Sequence, residues 1–330
     1  MYLACVFFLF STDIFRKLLH GKTRLKQSVF LLSLLSILLI LNCLPYPALH
    51  RSFLQHQHQR HYPVLKRPLS CSGGKPLFLL IAIKSLAENA DRRAAIRSTW
   101  GREGTVGGMQ VKRVFLLAES ERQIRNQAAG GILEEESLEH GDILQWGFRE
   151  SFFNVTLKEY LFWRWFGEDC ASVVQYIWKG DDDVFVNIDN VIRYLKGNSN
   201  PKLYMGKAFV NWYPVRIWWN KYYIPMSMYS GKSYPPYIGG GGYLLSRESI
   251  LLLSKASAWV HLFPIDDVYV GMCAQAANIS AQDHPGFITY EDLPFEPCEY
   301  RKLMVVHKVQ PNELYLMWSL VKHQGQSCPG

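Results

Sequence analysis

From Pro76 onward, continuous apolar blocks alternate with blocks whose apolar positions recur every three or four residues. PLFLLIAIKS is an unbroken apolar run, the pattern of a strand covered on both faces. ADRRAAIRSTWG reads as a short helix stopped by Gly101, and VKRVFLLAES as a second strand. The acid-rich stretch around ILEEESLEHG reads as surface helix and loop. DILQWGF is a further strand, NVTLKEYLFWRWFGED a helix with aromatics on one side, and SVVQYIWKGDDDVFVN a buried strand followed by the helix IDNVIRYLKG. Strands separated by helices predict an α/β fold with a mixed, mostly parallel central sheet flanked by helices. Ligands of such sheets bind beyond the C-terminal ends of the strands. No internal repeat is present. After Asn200 the chain turns rich in Trp, Tyr, Gly and Pro, as in FVNWYPVRIWWNKYYIP, which suits loops with aromatic surfaces. No strong internal boundary appears, so residues 75–330 read as one domain.

The N-terminal pattern is different. Ser28 to Leu44, SVFLLSLLSILLILNCL, carries no charge and is about long enough to cross a bilayer as a helix. Arg16, Lys17, Lys22, Arg24 and Lys26 precede it against the single Asp13, which places the N-terminus on the cytoplasmic side. A cleaved signal peptide is the rival reading, but the apolar run starts late and no small-residue cleavage site follows. The expected organisation is a cytoplasmic tail over 1–27, a transmembrane signal anchor over 28–48, a polar Pro- and His-containing stem over 49–74 and a lumenal domain over 75–330. The stem's histidines suit a solvated linker better than a metal site.

Composition changes this picture little. Of 330 residues, 48% are hydrophobic, which is ordinary, and 14% are aromatic, which is high. Much of the net charge of +8 sits at the membrane flank, so it gives little case for nucleic acid as a partner. Asn154-Val-Thr156 and Asn278-Ile-Ser280 are N-glycosylation acceptors. Five cysteines fall in the expected lumenal part (Cys71, Cys170, Cys273, Cys298 and Cys328) without a CxxC pair. Zinc is therefore disfavoured; one or two disulfides and one leftover thiol are expected.

The chemistry centres on KGDDDVFVN. Asp181, Asp182 and Asp183 interrupt an apolar strand although like charges repel and desolvation is costly. In extended chain Asp181 and Asp183 share one face and Asp182 takes the other. A solvated turn is the plain reading; the alternative is a pair of carboxylates holding Mg²⁺, Mn²⁺ or Ca²⁺. The apolar flanks and the position at a strand end favour the cation. Phosphates need positive partners, and Arg93 and Arg97 share a helix face, with Lys84 and Lys179 at strand ends. Gly239 to Gly242 allow close backbone approach to a ligand, though no GK[ST] follows and the run is no Walker loop. Asp266 and Asp267 open a helix, where acids are common, and one of them is a candidate general base. His307 ends the apolar strand LMVVHKVQ, a structural histidine or a late metal ligand.

RRAAIRSTWG, FFNVTLK, KGDDDVFVN, YPPYIGGGGYLLS and IDDVYVGMC together resemble the β-1,3-glycosyltransferase family of galactosyltransferases and N-acetylglucosaminyltransferases, related to the fringe enzymes. The resemblance covers about residues 75 to 310. KYYIP, the four-glycine run and the IDDVY form lean to the β-1,3-N-acetylglucosaminyltransferases. The resemblance implies a GT-A type nucleotide-sugar-binding fold, a UDP-GlcNAc donor, Mn²⁺, a galactose-terminated glycan acceptor and a Golgi type II membrane anchor. It makes Asp183 the foremost metal ligand, with Asp181 and His307 beside it, and gives Asp181 and Asp182 donor contacts. Asp267 is the expected base, with Asp266 second. Arg93, Arg97, Lys179, Gly240 and Gly241 would contact the donor. The aromatic segment Trp212 to Tyr223 does not align with the family pattern and leaves the acceptor site open. A galactosyltransferase using UDP-Gal is the competing reading within the family. A glycoside hydrolase would gain nothing from the aspartate triplet, and a calcium-dependent lectin would not explain the second acidic pair.

Overall fold

The computed structural model describes residues 23–43, 58–69, 71, 76–125, 127–289, 293–322 and 328. The chain divides into two units, residues 1–56 and 57–330. In the first, α1 (Thr23–Cys43) carries the apolar run. Within it Ser33 and Ser36 donate their hydroxyls back to the carbonyls of Phe30 and Leu32, at 2.8 and 2.6 Å. Among the described residues no helix is long and apolar enough to cross a membrane. Most of the expected tail, the last residues of the expected anchor and, of the stem, residues 49–57, 70 and 72–74 lie outside the described residues.

The second unit begins inside the expected stem. Strand β1 (Val64–Lys66) pairs antiparallel at a sheet edge, and Cys71 forms a disulfide with Cys170. These residues therefore belong to the folded unit. Next come β2 (Leu77–Lys84), α2 (Ala90–Ser98), β3 (Gly104–Val106) and β4 (Met109–Glu119). They are followed by α3 (Glu121–Arg125), α4 (Gln127–His140), β5 (Ile143–Arg149), α5 (Val155–Asp169) and β6 (Val174–Asp181). The long strands β5, β4, β2 and β6 lie side by side and parallel, as helix-bearing crossovers require. Leu79, Ile81 and Ile83 of β2 are fully buried, which explains why this strand reads as a solid apolar run.

The remaining elements are β7 (Val184–Val186), α6 (Ile188–Lys196), β8 (Tyr204–Gly206), β9 (Ala208–Phe209), β10 (Tyr237–Ile238) and β11 (Gly242–Ser246), then α7 (Arg247–Ala256), α8 (Asp266–Ala276), β12 (Gln282–Asp283), β13 (Phe287–Ile288), α9 (Pro297–Lys302), β14 (Val305–His307) and α10 (Pro311–Lys322). The main sheet runs β1-β5-β4-β2-β6-β11-β8-β12, with β3 hanging on β4. Strand β11 is antiparallel to both neighbours, so the sheet is mixed. A small sheet β13-β14-β7 continues from the end of β6. Trp100, just past α2, donates its indole N–H to Val184 O at 3.0 Å and packs edge-on against Trp178. Two buried indoles thus support the strand end that carries the three aspartates. Cys298 pairs with Cys328, and Cys273 remains as a buried thiol.

Candidate active site

Asp181 closes β6 and Asp183 immediately precedes β7, so the triplet is the joint between the two sheets. Alternation sends Asp182 inward. It accepts hydrogen bonds from Ser85 Oγ at 2.7 Å and Asn89 Nδ2 at 2.9 Å, and Arg92 lies 3.3 Å from it. Burial pushes the Asp182 carboxyl above the ordinary range despite these donors.

Asp181 and Asp183 face His307. Strand β14 runs antiparallel to β7 with His307 opposite Val184, which sets the imidazole beside Asp183. His307 Nε2 stands 3.2 Å from Asp183 Oδ1 and 4.0 Å from Asp181 Oδ2. Its Nδ1 donates to Thr289 O at 2.9 Å, which fixes the ring and turns Nε2 to the acids. Ligand atoms of the three residues lie within 4.8 Å of one another. Two carboxylates and one oriented imidazole fit a divalent ion such as Mn²⁺. Burial works against the charge of Asp183, but the His307 hydrogen bond and charge, together with Arg92, hold its pKa below the usual carboxylate range.

The second acidic pair opens α8, whose N-cap Ile265 supplies no side-chain cap. Lys84, at the end of β2, joins the two pairs: its Nζ is 2.5 Å from Asp266 Oδ2 and 3.0 Å from Asp181 Oδ1. Burial opposes this ammonium, yet Asp181, Asp266, Glu159 and Asp267 outweigh it and hold Lys84 charged, well above the ordinary lysine value. Among the described residues no cation forms an ion pair with Asp267. Burial first, then repulsion from Asp266, push its carboxyl well above the ordinary range, against the pull of Lys84.

The glycine run floors the space between the acids. Strand β11 pairs Gly242 with Gly180, so Gly241 and Gly240 reach past the end of β6. A Cβ placed on Gly240 would stand 3.5 Å from Asp267 Oδ2 and 3.8 Å from Asp181 Oδ2. Gly241 has φ +98° and would bring a Cβ to 3.2 Å from the His307 ring and its Cβ. The backbone here takes a conformation that favours glycine, and the missing side chains keep the cleft between Asp267 and the Asp181–Asp183–His307 cluster open.

Three expected donor contacts are placed elsewhere. Arg93 is fully buried; it holds Glu136 with Nε and Nη2 at 2.7 and 2.6 Å, and Ser85 Oγ at 3.1 Å. Arg97 grips both oxygens of Asp142 at 2.9 and 2.8 Å and also pairs with Glu136. Their charge is spent inside the domain, so they brace α2 and do not face a diphosphate. Lys179 is likewise fully buried and paired with Glu159, and burial lowers its pKa. The cation that does reach the triplet from α2 is Arg92, 3.6 Å from Asp183. Helical geometry held the signal for this: Arg92 sits one position round the helix from Arg93, and two unpaired aspartates needed a partner. Glu159 is the other residue that the motifs did not single out. It is buried beneath Lys84 and accepts from Tyr243 OH at 2.8 Å.

The galactosyltransferase family model matches residues 91–285, more than half of the chain. The chain belongs to the galactosyltransferase family. Human N-acetyllactosaminide β-1,3-N-acetylglucosaminyltransferase 4 is 44% identical over 291 residues, covering 86% of this chain and 75% of the relative. Human N-acetyllactosaminide β-1,3-N-acetylglucosaminyltransferase 3 is 39% identical over 286 residues, covering 84% and 77%. The rat UDP-GlcNAc:betaGal β-1,3-N-acetylglucosaminyltransferase 7 is 41% identical over 290 residues, covering 84% and 72%. The matched span of this galactosyltransferase-family chain includes the aspartate triplet, the glycine run and Asp266–Asp267; His307 lies beyond it.

Proposed function

We propose that the chain is an inverting hexosyltransferase that moves GlcNAc from UDP-GlcNAc, in β-1,3 linkage, to the 3-hydroxyl of a terminal galactose on a glycoprotein or glycolipid glycan. The observation that carries this reading is the pairing of a cation-type ligand set with a second, partly exposed aspartate across a glycine floor. The names of the relatives support the choice of GlcNAc and linkage.

Asp267 is the base. Its raised pKa makes it a competent proton acceptor from a sugar hydroxyl once ionised. The freed oxygen attacks the anomeric carbon from the face opposite UDP, and the configuration inverts. UDP departs with the bonding electron pair and needs no proton, so one carboxylate suffices. Asp181, Asp183 and His307 would hold Mn²⁺, which supplies positive charge against the departing diphosphate. Arg92 adds a fixed cation on the same side. Gly240 and Gly241 let the donor approach the backbone. Trp212 and Trp219 present exposed rings on which acceptor sugars can stack.

The same reading puts the enzyme in the Golgi membrane, anchored through the expected segment 28–48, with the catalytic domain in the lumen. The two disulfides suit an oxidising lumen, and Asn278 is an exposed glycan acceptor. Loss of a mass shift on glycosidase digestion in Asn278→Gln would check this topology.

The test uses the full-length chain in detergent with Mn²⁺, a β-galactose-terminated acceptor, and UDP-GlcNAc or UDP-Gal separately. Product from UDP-GlcNAc alone is expected. Product from UDP-Gal alone would keep the mechanism and overturn the donor, and an inert protein that binds no UDP would overturn the transfer reading.

A further inference from the structure

A buried charge persists only with partners, and a buried ion pair is often no more stabilising than well-packed apolar residues of similar volume. The Glu159–Lys179 pair is such a case, with both side chains about fully buried. Glu159 does more than neutralise Lys179. Its carboxylate also lies 3.8 Å from Lys84 Nζ and accepts the Tyr243 hydroxyl. The preceding residue, Lys158, donates to the carbonyl of Ser85 at 2.8 Å, next to Lys84 itself. Two successive side chains of α5 therefore grip the end of β2, one by its backbone and one by its ammonium.

The groups facing Lys84 come from every element packed around it. Glu159 rises from α5, Asp181 and the buried Lys179 come from β6, and Asp266 from α8 with Asp267 beside it. Asp181 and Asp266 draw the ammonium towards the cleft, and Glu159 draws it back. We propose that Glu159 is a positioning residue: it seats the Lys84 ammonium so that it bridges Asp181 and Asp266 and thereby fixes the spacing between the cation-binding aspartates and the base helix. Without Glu159 the two cleft carboxylates alone decide where the ammonium goes. Displacements of about 1 Å in such a scaffold cost on the order of a hundredfold in rate.

The inference rests on the transfer reading above, and the experiment separates the two. Glu159→Gln combined with Lys179→Met removes the seat while leaving no buried unpaired charge and keeping an acceptor for Tyr243. The full-length double variant is expected to melt near the wild-type temperature and to keep its donor KM, with kcat lowered about tenfold or more. Lys179→Met alone leaves Glu159 on Lys84 and is expected to keep kcat within about threefold. A double variant as active as an active wild type would overturn the positioning role and leave the transfer reading standing. Equal losses in the single and double variants would also overturn it, because pairing alone would then explain the effect. A wild-type chain inert with both donors would overturn both. If the double variant does not fold, Tyr243→Phe decides: it keeps both charges and deletes one hydroxyl held by Glu159. A drop in kcat of about threefold or more at unchanged melting temperature supports the proposal, and unchanged kcat overturns it.

Discussion

At the scale of single residues, the site assigns different work to two adjacent carboxylates. Asp266 is tied to Lys84 and Asp267 is not. Asp267→Asn should lower kcat by about 10²–10⁴-fold while UDP still binds in the presence of Mn²⁺, which titration calorimetry would check. Asp266→Asn has a different signature. As the proposed base, Asp267 must be ionised to act, so activity should fall as pH drops through its raised pKa. Removing the Asp266 charge removes part of what raises it. The acid limb of the kcat/KM profile should therefore move to lower pH in that variant, and an unmoved limb would refute the assignment of the base. The acidic motifs were legible in the sequence because acids inside apolar runs demand a reason. The arginines were misread for a physical cause. Glu136 and Asp142 stand far along the chain from Arg93 and Arg97, and only folding brings them together. Periodicity shows which residues share a helix face; it does not show what that face meets.

At the scale of elements, α2 is held to the sheet by charge. Asp142 is buried and shared by Arg97 and Arg113, and Glu136 by Arg93 and Arg97. Burial alone would raise both acids, but the guanidinium partners hold both pKa values below the ordinary carboxylate range. The sign follows from linkage: this stabilisation is complete above the ordinary carboxylate pKa and is lost as pH falls through the depressed folded values. Melting temperature should therefore fall on acidification, and Asp142→Asn should flatten that fall. The same variant should cost about 3–5 kcal/mol at neutral pH, since it leaves buried guanidinium groups under-paired; denaturant titration would measure it. The order of strands and helices was legible because unbroken apolar runs alternate with stretches whose apolar positions recur every three or four residues. Strand β1 was not. It is a short, half-exposed edge strand in a polar surrounding, and such strands carry little apolar signal.

At the scale of the whole molecule, two disulfides fasten the periphery. Cys71–Cys170 ties the segment before β2 to the residue after α5, at a sequence separation of 99. Replacing both cysteines with serine should cost about 2–4 kcal/mol of stability, seen as a lower denaturation midpoint. This pairing joins residues that the sequence assigned to different regions, and spacing alone gave no means of choosing it. The register of β14 against β7 has a further consequence, in the order of events. Asp181 and Asp183 emerge from the ribosome long before His307, yet the cluster of the three forms only once β14 has docked beside them. Until then the acids have no imidazole between them and the small sheet has no central strand. A chain halted before residue 307 would hold the acidic pair and Asp266–Asp267 without the imidazole, so on the proposed reading the nascent chain gains activity only after β14 is made.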